Sequence, residues 1–302
     1  MKDPKPLVSI VTVNFNQTAV TRDLLLSLKK ISYTNIETIV IDNGSSDDSI
    51  SSLAVEFPEI QLIKTHQNLG FAGGNNVGIK VAKGDYLLLL NNDVEVTPGF
   101  LEPLVETLEN NPEAAVASPK IVYYGRDEMI QYAGSSKINT FTGRGRRIGY
   151  LETDKGQYDY IRPTELGHGA CIMVSRKAIS TVGLMPEDYF LYYEEHDWTE
   201  TMKRHNFKVY YVGTSKIYHK ESVSTGRNSP LKTYFLSRNR LLFARRNSSG
   251  IVLLISILYI VFIALPKNIF QLRSDKANSR AYMRGVLWNF FGEQKFPAPM
   301  MK

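Results

Sequence analysis

The first 120 residues alternate short apolar runs with segments in which apolar residues recur every three or four positions. Such runs predict β-strands, and the recurrence predicts helices. Strands are predicted at Leu7–Phe15, Glu37–Asp42, Ile60–Thr65, Tyr86–Leu90 and Ala114–Ala117, helices at Val20–Ile31, Asp47–Phe57, Asn75–Ala82 and Phe100–Asn110, and a glycine-rich loop at Gly70–Gly74. This alternation favours an α/β fold with a mainly parallel sheet and helices on both of its faces.

The rest of the chain divides into three stretches of different character. Residues 121–165 mix Gly, Tyr and Arg without a period and are predicted to be irregular. Further elements are predicted as a strand at Ala170–Val174, a helix at Glu195–His205 and a strand at Lys208–Val212. The almost wholly apolar run Ile251–Leu265 then ends at Pro266. We therefore expect an α/β domain over residues 1–222 and a basic, apolar helical extension over residues 223–302.

Charge is unevenly distributed along the 302 residues, whose formal net charge is +6. Between Ser222 and Arg284 there are 11 Lys and Arg and one acid, whereas residues 1–221 carry 23 basic and 28 acidic residues. A basic segment attracts phosphate-bearing partners. Because this one encloses an apolar run, it favours an anionic membrane surface over nucleic acid.

Cysteine content and the N-terminus both bear on the compartment. Cys171 is the one cysteine, so no disulfide can form within the chain, which fits a reducing environment. The N-terminal apolar run is too short and too polar for a secretory signal and predicts a strand instead. We therefore expect a protein of the cytosol or of the cytosolic face of a membrane.

Two carboxylates follow predicted strands, at the edge where parallel sheets bind ligands. Asp42 could accept hydrogen bonds from a ribose, and Asp93 could hold Mg²⁺ or Mn²⁺ shared with substrate phosphates. Each has a structural alternative: Asp42 as a turn residue before Gly44, and Asp93 as the cap of the next element. The segment Asn68–Asn76 has glycines that let backbone N–H groups approach phosphate, but their spacing is not that of the dinucleotide fingerprint.

An acidic cluster, Glu194-Glu195-His196-Asp197, follows the aromatic run Tyr189–Tyr193. Three carboxylates in four residues repel one another, which raises the pKa of at least one and suits it to act as a general base. The alternative is an acidic first helical turn. Aromatic faces are good platforms for sugars, so the neighbouring aromatic run favours the functional interpretation.

Taken in order, six segments resemble those of family 2 glycosyltransferases, which are inverting enzymes with the GT-A fold. They are VSIVTVNFNQ, IETIVIDNGSSDDS, HQNLGFAGGNNVGI, YLLLLNNDVEV, YFLYYEEHDW and His219. The resemblance spans roughly residues 7–222. The subgroup that it resembles contains bacterial rhamnosyltransferases and galactofuranosyltransferases that build surface polysaccharides.

The resemblance implies roles for individual residues. The nucleotide-sugar donor would be bound by Val13, Asn14, Asn16, Asp42, Asn68, Gly73, Asn75, Asn92 and Asp93. The metal-binding Asp-x-Asp motif corresponds to Asn91-Asn92-Asp93, so the ligands here would be Asp93 and His219. The catalytic base would be Glu195, with Glu194 and Asp197 as reserves. The acceptor would pack against Tyr192, Tyr193 and Trp198.

These roles imply transfer, with inversion, from a dTDP- or UDP-sugar to a lipid-linked saccharide, with Mg²⁺ or Mn²⁺ as cofactor and rhamnose among the candidate sugars. The oligomeric state stays open. Since Asn91 replaces an acid of the motif, a catalytically silent glycosyltransferase-like subunit of a membrane assembly is the alternative. A nucleotidyltransferase and a nicotinamide-dependent oxidoreductase are disfavoured, because no glycine-rich loop directly follows the first strand.

The apolar run predicts how the chain meets a membrane. Ile251–Leu265 has 15 residues, which makes a helix of roughly 22 Å, shorter than the ~30 Å hydrocarbon core. The flanking basic residues are Arg238, Arg240, Arg245 and Arg246 before it and Lys267, Arg273 and Lys276 after it. This arrangement favours peripheral or monotopic attachment to the cytoplasmic face of the inner membrane, with a helix of the soluble core as the alternative.

Overall fold

The computed structural model of the chain describes residues 5–220, 229–295 and 298. The predicted boundary between residues 222 and 223 lies outside these ranges. The strands are β1 Val8–Asn14, β2 Ile36–Asp42, β3 Ile60–Lys64, β4 Tyr86–Leu90, β5 Val94–Val96, β6 Ala114–Tyr123, β7 Ile130–Tyr132, β8 Ile161–Thr164, β9 Cys171–Ser175 and β10 Lys208–His219. The helices are α1 Thr18–Leu28, α2 Ser51–Glu56, α3 Gly70–Val81, α4 Leu101–Asn110, α5 Arg176–Val182, α6 Glu194–Arg204, α7 Pro230–Asn247, α8 Gly250–Leu258, α9 Leu265–Gln271 and α10 Lys276–Phe291.

All these strands belong to one mixed sheet in the order β3-β2-β1-β4-β9-β6-β10-β5. β7 pairs with β6, and β8 pairs with β10. The first four strands are parallel, as are β6 and β10, while β9 runs antiparallel between β4 and β6. The predicted α/β fold with a mainly parallel sheet is therefore confirmed. The carboxyl ends of β1, β2 and β4 share one edge with the start of β9, and this edge carries the site.

Helices cover both faces of the sheet because its central strands are apolar throughout. In β4, Leu88 and Leu90 pack on one face with residues of α1 and α4. Leu87 and Leu89 pack on the other face with residues of α3, α5 and α6. This two-sided burial explains why YLLLL shows no alternation of apolar and polar residues.

The predicted loop at Gly70–Gly74 is wrong, since these residues form the first turns of α3. Gly70 has a φ of +73°, and a Cβ there would lie 2.2 Å from the carbonyl oxygen of Phe190. A Cβ on Gly74 would lie 2.9 Å from the Val13 side chain, and one on Gly78 2.3 Å from Val11. The glycines therefore bring α3 close to β1 and to the loop at Phe190, a packing role that their spacing does not reveal.

Residues 121–165 are more ordered than predicted. β6 runs on to Tyr123, and the short strands β7 and β8 pair antiparallel with β6 and β10. β10 is also longer than predicted and ends at His219. Strands of three or four residues with mixed polarity, such as IQY and IRPT, are too short to show a period, which explains why the pattern missed them.

The C-terminal helices pack as one unit, which we call the helical unit, residues 230–291. Gly285 of α10 lies against α7, where a Cβ would meet Ser237 Oγ at 2.2 Å. Arg238 and Arg240, predicted as basic flanks of an apolar helix at an anionic membrane, are buried in α7 at 6% and 4% exposure. The Arg238 guanidinium donates to the backbone carbonyls of Asp188 and Tyr189, so α7 also attaches the helical unit to the α/β domain.

The apolar helix does not end at Pro266, which corrects its predicted length. α8 continues through a π-helical turn, Tyr259–Ala264, into α9, so helical backbone runs from Gly250 to Gln271. The wider π-turn before Pro266 relieves the clash that a proline ring makes with the carbonyl four residues earlier. By length and composition alone, these 22 residues could cross a membrane, and only 17% of their most apolar stretch is buried.

Candidate functional site

A cleft of about 770 Å³ opens at the carboxyl edge of the sheet. One side, the β1 half, is lined by Val13, Phe15, Asn43, Asn68, Gly70, Phe71 and Asn75. The other side, the β9 half, is lined by Gln131, Arg147, His168, Gly169 and Ala170. The aromatic wall consists of Phe190, Leu191 and Tyr192 with Ser229, Pro230, Leu231 and Lys232. Residues 90–93 lie between the two halves, together with Glu194, Glu195 and His219.

Asp93 and His219, predicted as metal ligands, meet at the centre of the cleft. Asp93 Oδ1 lies 3.1 Å from His219 Nε2, and both side chains are more than 90% buried. β5 and β10 bring them together by pairing Val94 with His219. Gln131 Oε1 lies 2.8 Å from His219 Nδ1. Because an amide oxygen only accepts, Nδ1 carries a hydrogen, and in the neutral ring the lone pair of Nε2 faces Asp93.

This pair fits a divalent cation that takes its other ligands from substrate. Two atoms bound at right angles to one Mg²⁺, each at about 2.1 Å, lie about 3.0 Å apart, close to the separation of Oδ1 and Nε2. Among the described residues, no cluster of three or more His, Cys, Asp or Glu side chains could hold a metal. A cation bound by Asp93 and His219 would therefore depend on diphosphate oxygens and water.

Asn92 and the end of β1 share a buried hydrogen-bond network. Asn92 Nδ2 donates to Thr21 Oγ1 at 3.1 Å, and this hydroxyl donates to Asn14 Oδ1 at 2.9 Å. Asp42 accepts from Asn14 and from Ser45. Asn14 and Asp42 therefore lie close together, as predicted, but they brace the loops behind the β1 half and do not line the cleft.

Two further predicted donor residues also lie behind the cleft lining. Asn16 has a φ of 55°, and its Oδ1 accepts from the backbone N–H of Ser46 at 2.8 Å. At Gly73 a Cβ would lie 2.7 Å from Leu69 Cβ, so this glycine permits a close turn within α3. Both residues shape the loops that carry the lining residues.

Asn43, which the sequence did not single out, holds the start of α3 in the β1 half. Its Nδ2 donates to Asn68 Oδ1 and to the Gly70 carbonyl, at 3.1 and 3.0 Å. Its Oδ1 accepts from the Leu69 N–H at 3.0 Å. Its position directly after β2 could have identified Asn43 as a site residue, because polar residues that follow parallel strands lie at the edge of the sheet where ligands bind.

Glu194 and Glu195 both line the cleft and differ in their expected charge. Burial, together with the charge of Glu195, raises the pKa of Glu194 well above its usual range. Burial also opposes ionisation of Glu195, but His196, whose Nδ1 lies 3.4 Å from Glu195 Oε1, lowers the pKa of Glu195 below its usual value. Glu195 Oε2 is buried without a hydrogen-bond partner. The pair therefore combines a neutral acid with a carboxylate that can accept a proton.

The structure does not support Asp197 as a reserve base. Its side chain is 1% exposed and does not line the cleft. Its Oδ2 accepts from Arg246 Nε at 2.7 Å, and its Oδ1 accepts from Asn247 Nδ2 at 2.5 Å. Asp197 therefore joins the first turn of α6 to the last turn of α7. The sequence pattern could not predict this contact between the two helices.

Of the aromatic residues predicted to contact an acceptor, only Tyr192 lines the cleft. Tyr193 packs on Phe243 and donates its hydroxyl hydrogen to the Gly143 carbonyl at 3.2 Å. Trp198 is 2% exposed, and its Nε1 donates to the Gly183 carbonyl at 2.9 Å. The prediction for Trp198 is wrong, because α6 turns this face of the helix into the core.

The loop before α6 is strained, and α7 holds it. Phe190, Tyr192 and Tyr193 all have positive φ values, between 61° and 77°, which bulky residues seldom adopt. Asn239 of α7 donates through Nδ2 to the carbonyls of Tyr189, Leu191 and Tyr192, at 2.7–2.9 Å. The helical unit is thus part of the site's scaffold.

The β9 half contains residues that the sequence pattern missed. Gln131 orients His219, and Arg147 places its guanidinium 3.7 Å from the centre of the Tyr150 ring. Burial, with the charges of His219 and Arg147, lowers the pKa of His168 to about 3. Gln131 and Arg147 lie in the region predicted to be irregular, and nothing in their sequence context distinguishes them.

The sequence is similar to those of known glycosyltransferases. The model of the family described as "Glycosyl transferase family 2" matches residues 9–183. A low-salt glycan biosynthesis hexosyltransferase, Agl10 of Haloferax volcanii, is 26% identical, covering 78% of this chain and 74% of its own. An N-acetylglucosaminyl-diphospho-decaprenol L-rhamnosyltransferase of Mycobacterium tuberculosis is 24% identical, covering 74% and 78%. The dTDP-rhamnosyl transferase RfbF of Shigella flexneri is 26% identical, covering 76% of each chain.

Solved structures share the fold at low sequence identity. The mannosyltransferase PcManGT from Pyrobaculum calidifontis, in complex with GDP-Man and Mn²⁺, superposes with a TM-score of 0.60 at 13% identity, covering 97% of this chain and 83% of that one. TarS of S. aureus superposes with a TM-score of 0.57 at 14% identity, covering 92% and 47%. The family model covers more than half of the chain, and the fold of the chain matches that of GT-A glycosyltransferases. The chain therefore belongs to glycosyl transferase family 2 and is an enzyme.

Proposed function

We propose that the enzyme transfers a sugar, with inversion, from a nucleoside-diphosphate donor to an acceptor hydroxyl, with Glu195 as the base. The observation that carries this proposal is the Glu195 carboxylate, which has a buried, unpartnered oxygen in the same cleft as the Asp93–His219 pair. Inversion needs a single in-line attack, so one base that takes the acceptor proton is sufficient. Because the pKa of Glu194 is raised, this neighbouring side chain adds no second negative charge beside Glu195.

The donor fits the β1 half, where loops from β1, β2 and the start of α3 converge. Val13, Asn68, Asn75 and Asn92 would contact it directly, while Asn14, Asn16, Asp42 and Gly73 hold those loops in place. The described lining of the β1 half contains no Lys or Arg. A Mg²⁺ or Mn²⁺ held by Asp93 and His219 would supply the positive charge that stabilises the departing diphosphate.

The named relatives support a proposal for the donor sugar and the acceptor. RfbF of Shigella flexneri is named as a dTDP-rhamnosyl transferase. The Mycobacterium tuberculosis relative is named as a rhamnosyltransferase for N-acetylglucosaminyl-diphospho-decaprenol. We therefore propose a dTDP- or UDP-sugar donor, with dTDP-rhamnose first, and a lipid-linked saccharide acceptor in bacterial surface polysaccharide synthesis. Residues 1–222 would form the catalytic domain, and residues 223–302 the membrane-associating extension that also braces it.

The donor assignment is tested with purified full-length protein and a panel of dTDP-, UDP- and GDP-sugars. We expect one sugar nucleotide to release its diphosphate faster than the others in the presence of Mn²⁺, and the product to have the inverted anomeric configuration by NMR. Glu195→Gln protein serves as the control for contaminating activity. A retained configuration would contradict the single-displacement mechanism, and the absence of any turnover would support the silent-subunit alternative.

We further propose that the apolar helix lies in the interface of the cytoplasmic leaflet. Its outward face exposes Ile251, Leu254, Leu258, Phe262, Ile263 and Phe270. Ser256, near the middle of the helix, donates to the Thr140 carbonyl of the α/β domain at 2.7 Å, and Ile260 is buried against Leu241. A helix held by its middle to the catalytic domain suits interfacial attachment better than a span, although its length permits one.

Vesicle flotation tests this attachment with substitutions on the exposed face. Phe262→Asp combined with Ile263→Asp should weaken binding to anionic vesicles at least tenfold, since burying each side chain contributes about 1.5–3 kcal/mol. Val55→Asp, at an 85% exposed apolar residue of the α/β domain, is the matched control and should float like the unmodified chain. Equal flotation of all three proteins would assign this face to another contact. Added salt should weaken binding through Lys267, Arg273 and Lys276.

A further inference from the structure

The cleft has an asymmetric distribution of positive charge. The described lining residues of the β1 half include no Lys or Arg, whereas the β9 half contains Arg147 and the aromatic wall contains Lys232. The nucleotide diphosphate would meet its positive charge at the Asp93–His219 pair. The two basic side chains on the other side of the cleft therefore have no role in the mechanism proposed above.

The fold places Arg147 on the same side as the catalytic base. Arg147 pairs with Ser135 in an isolated antiparallel bridge, and its guanidinium stacks on Tyr150. It lines the same half of the cleft as Gly169, where a Cβ would lie 3.1 Å from Glu195 Oε1. In the strand order β4 lies between β1 and β9, and Arg147 lines the cleft on the β9 side.

We propose that Arg147, together with Lys232 of the aromatic wall, binds an anionic phosphate or diphosphate group of the acceptor. The proposal rests on the proposed function, which assigns the Glu195 side of the cleft to the acceptor. A guanidinium presents a planar fork of donors that matches phosphate oxygens, and stacking on Tyr150 limits the orientations it can take.

The neighbourhood of Lys232 also suits an amphiphilic acceptor. Lys232 lies over the Tyr192 ring, next to Leu231, and Tyr192 and Leu231 are half-buried residues that pack against a buried cluster containing Phe235. Leu236, in the following turn of α7, is 39% exposed. A phosphate between Arg147 and Lys232 could therefore continue into a hydrocarbon chain along an apolar path, with the sugar directed towards Glu195.

Binding of farnesyl diphosphate, with farnesol as the neutral counterpart, tests the subsite without requiring turnover. Calorimetric titrations would be carried out on the full chain with Mn²⁺ and saturating UDP or dTDP, which block the donor diphosphate position. We expect farnesyl diphosphate to bind more tightly than farnesol. Arg147→Gln should raise its Kd about 10- to 100-fold and Arg147→Lys less, because lysine keeps the charge but not the fork. Arg146→Gln, at the exposed neighbouring residue, is the matched control and should bind like the unmodified chain.

Three outcomes would overturn the subsite. The first is equal affinity for farnesyl diphosphate and farnesol, and the second is an equal loss of affinity in Arg146→Gln and Arg147→Gln. The third is binding of farnesyl diphosphate in the absence of the nucleotide but not in its presence, which would place Arg147 on the donor diphosphate. Failure of the donor panel with Arg147-dependent farnesyl diphosphate binding intact would refute the proposed function alone. Donor turnover without Arg147-dependent binding would refute the subsite alone.

Discussion

Glu195→Gln should lower kcat/KM for sugar transfer about 10²- to 10⁴-fold, the usual contribution of a general base. Glutamine keeps the shape of the side chain but cannot accept a proton at neutral pH. Glu195 Oε2 has no partner in the folded chain, so the substitution breaks no hydrogen bond of that oxygen. Donor affinity should change little, because the base faces the acceptor. The measurement is steady-state kinetics with the donor that the panel identifies, alongside nucleotide binding by calorimetry.

Two neighbouring carboxylates provide matched controls for this substitution. Glu194→Gln should have a smaller effect, because the raised pKa of Glu194 already keeps it neutral and glutamine resembles the protonated acid. Asp197→Asn should lower the free energy of unfolding by about 2 kcal/mol through its bonds to Arg246 and Asn247, while activity per folded molecule is retained. An inactive, folded Asp197→Asn enzyme beside an active Glu195→Gln enzyme would move the base to Asp197.

Asp93→Ala should reduce transfer about 10³-fold, because a metal ion contributes several kcal/mol of charge stabilisation to the transition state. Excess chelator should have the same effect on the unmodified enzyme, and Mg²⁺ or Mn²⁺ should restore activity. Paramagnetic resonance of Mn²⁺ with nucleoside diphosphate should show binding to the unmodified chain and none to Asp93→Ala. This readout does not require catalysis.

Asp48→Asn is the control for the loss of one acid. Asp48 forms an exposed ion pair with Lys64 on the α/β domain and does not line the cleft. Its substitution should leave transfer and Mn²⁺ binding unchanged. Full activity of the unmodified enzyme in excess chelator would remove the metal from the mechanism and leave Asp93 and His219 as neighbouring polar groups that shape the cleft.

The sequence by itself determined the sheet and the edge at which the site lies. Apolar runs such as YLLLL are long enough to predict strands locally, and helices between them require parallel neighbours. Polar residues that end those strands then meet at one edge whatever the details of packing. This is why Asp93 and Asn68 were predicted from their positions after strands, and both line the cleft.

Only the tertiary structure decided which polar and aromatic residues face the cleft. Asp197 and Trp198 follow Glu195 by two and three residues, but the rotation of α6 points them to Arg246 and to the core. Gln131 reaches the cleft on a three-residue strand, and Arg147 reaches it through an isolated bridge to Ser135. Such contacts depend on the orientation of whole elements and on short irregular pairings, and neither leaves a periodic signal in the chain.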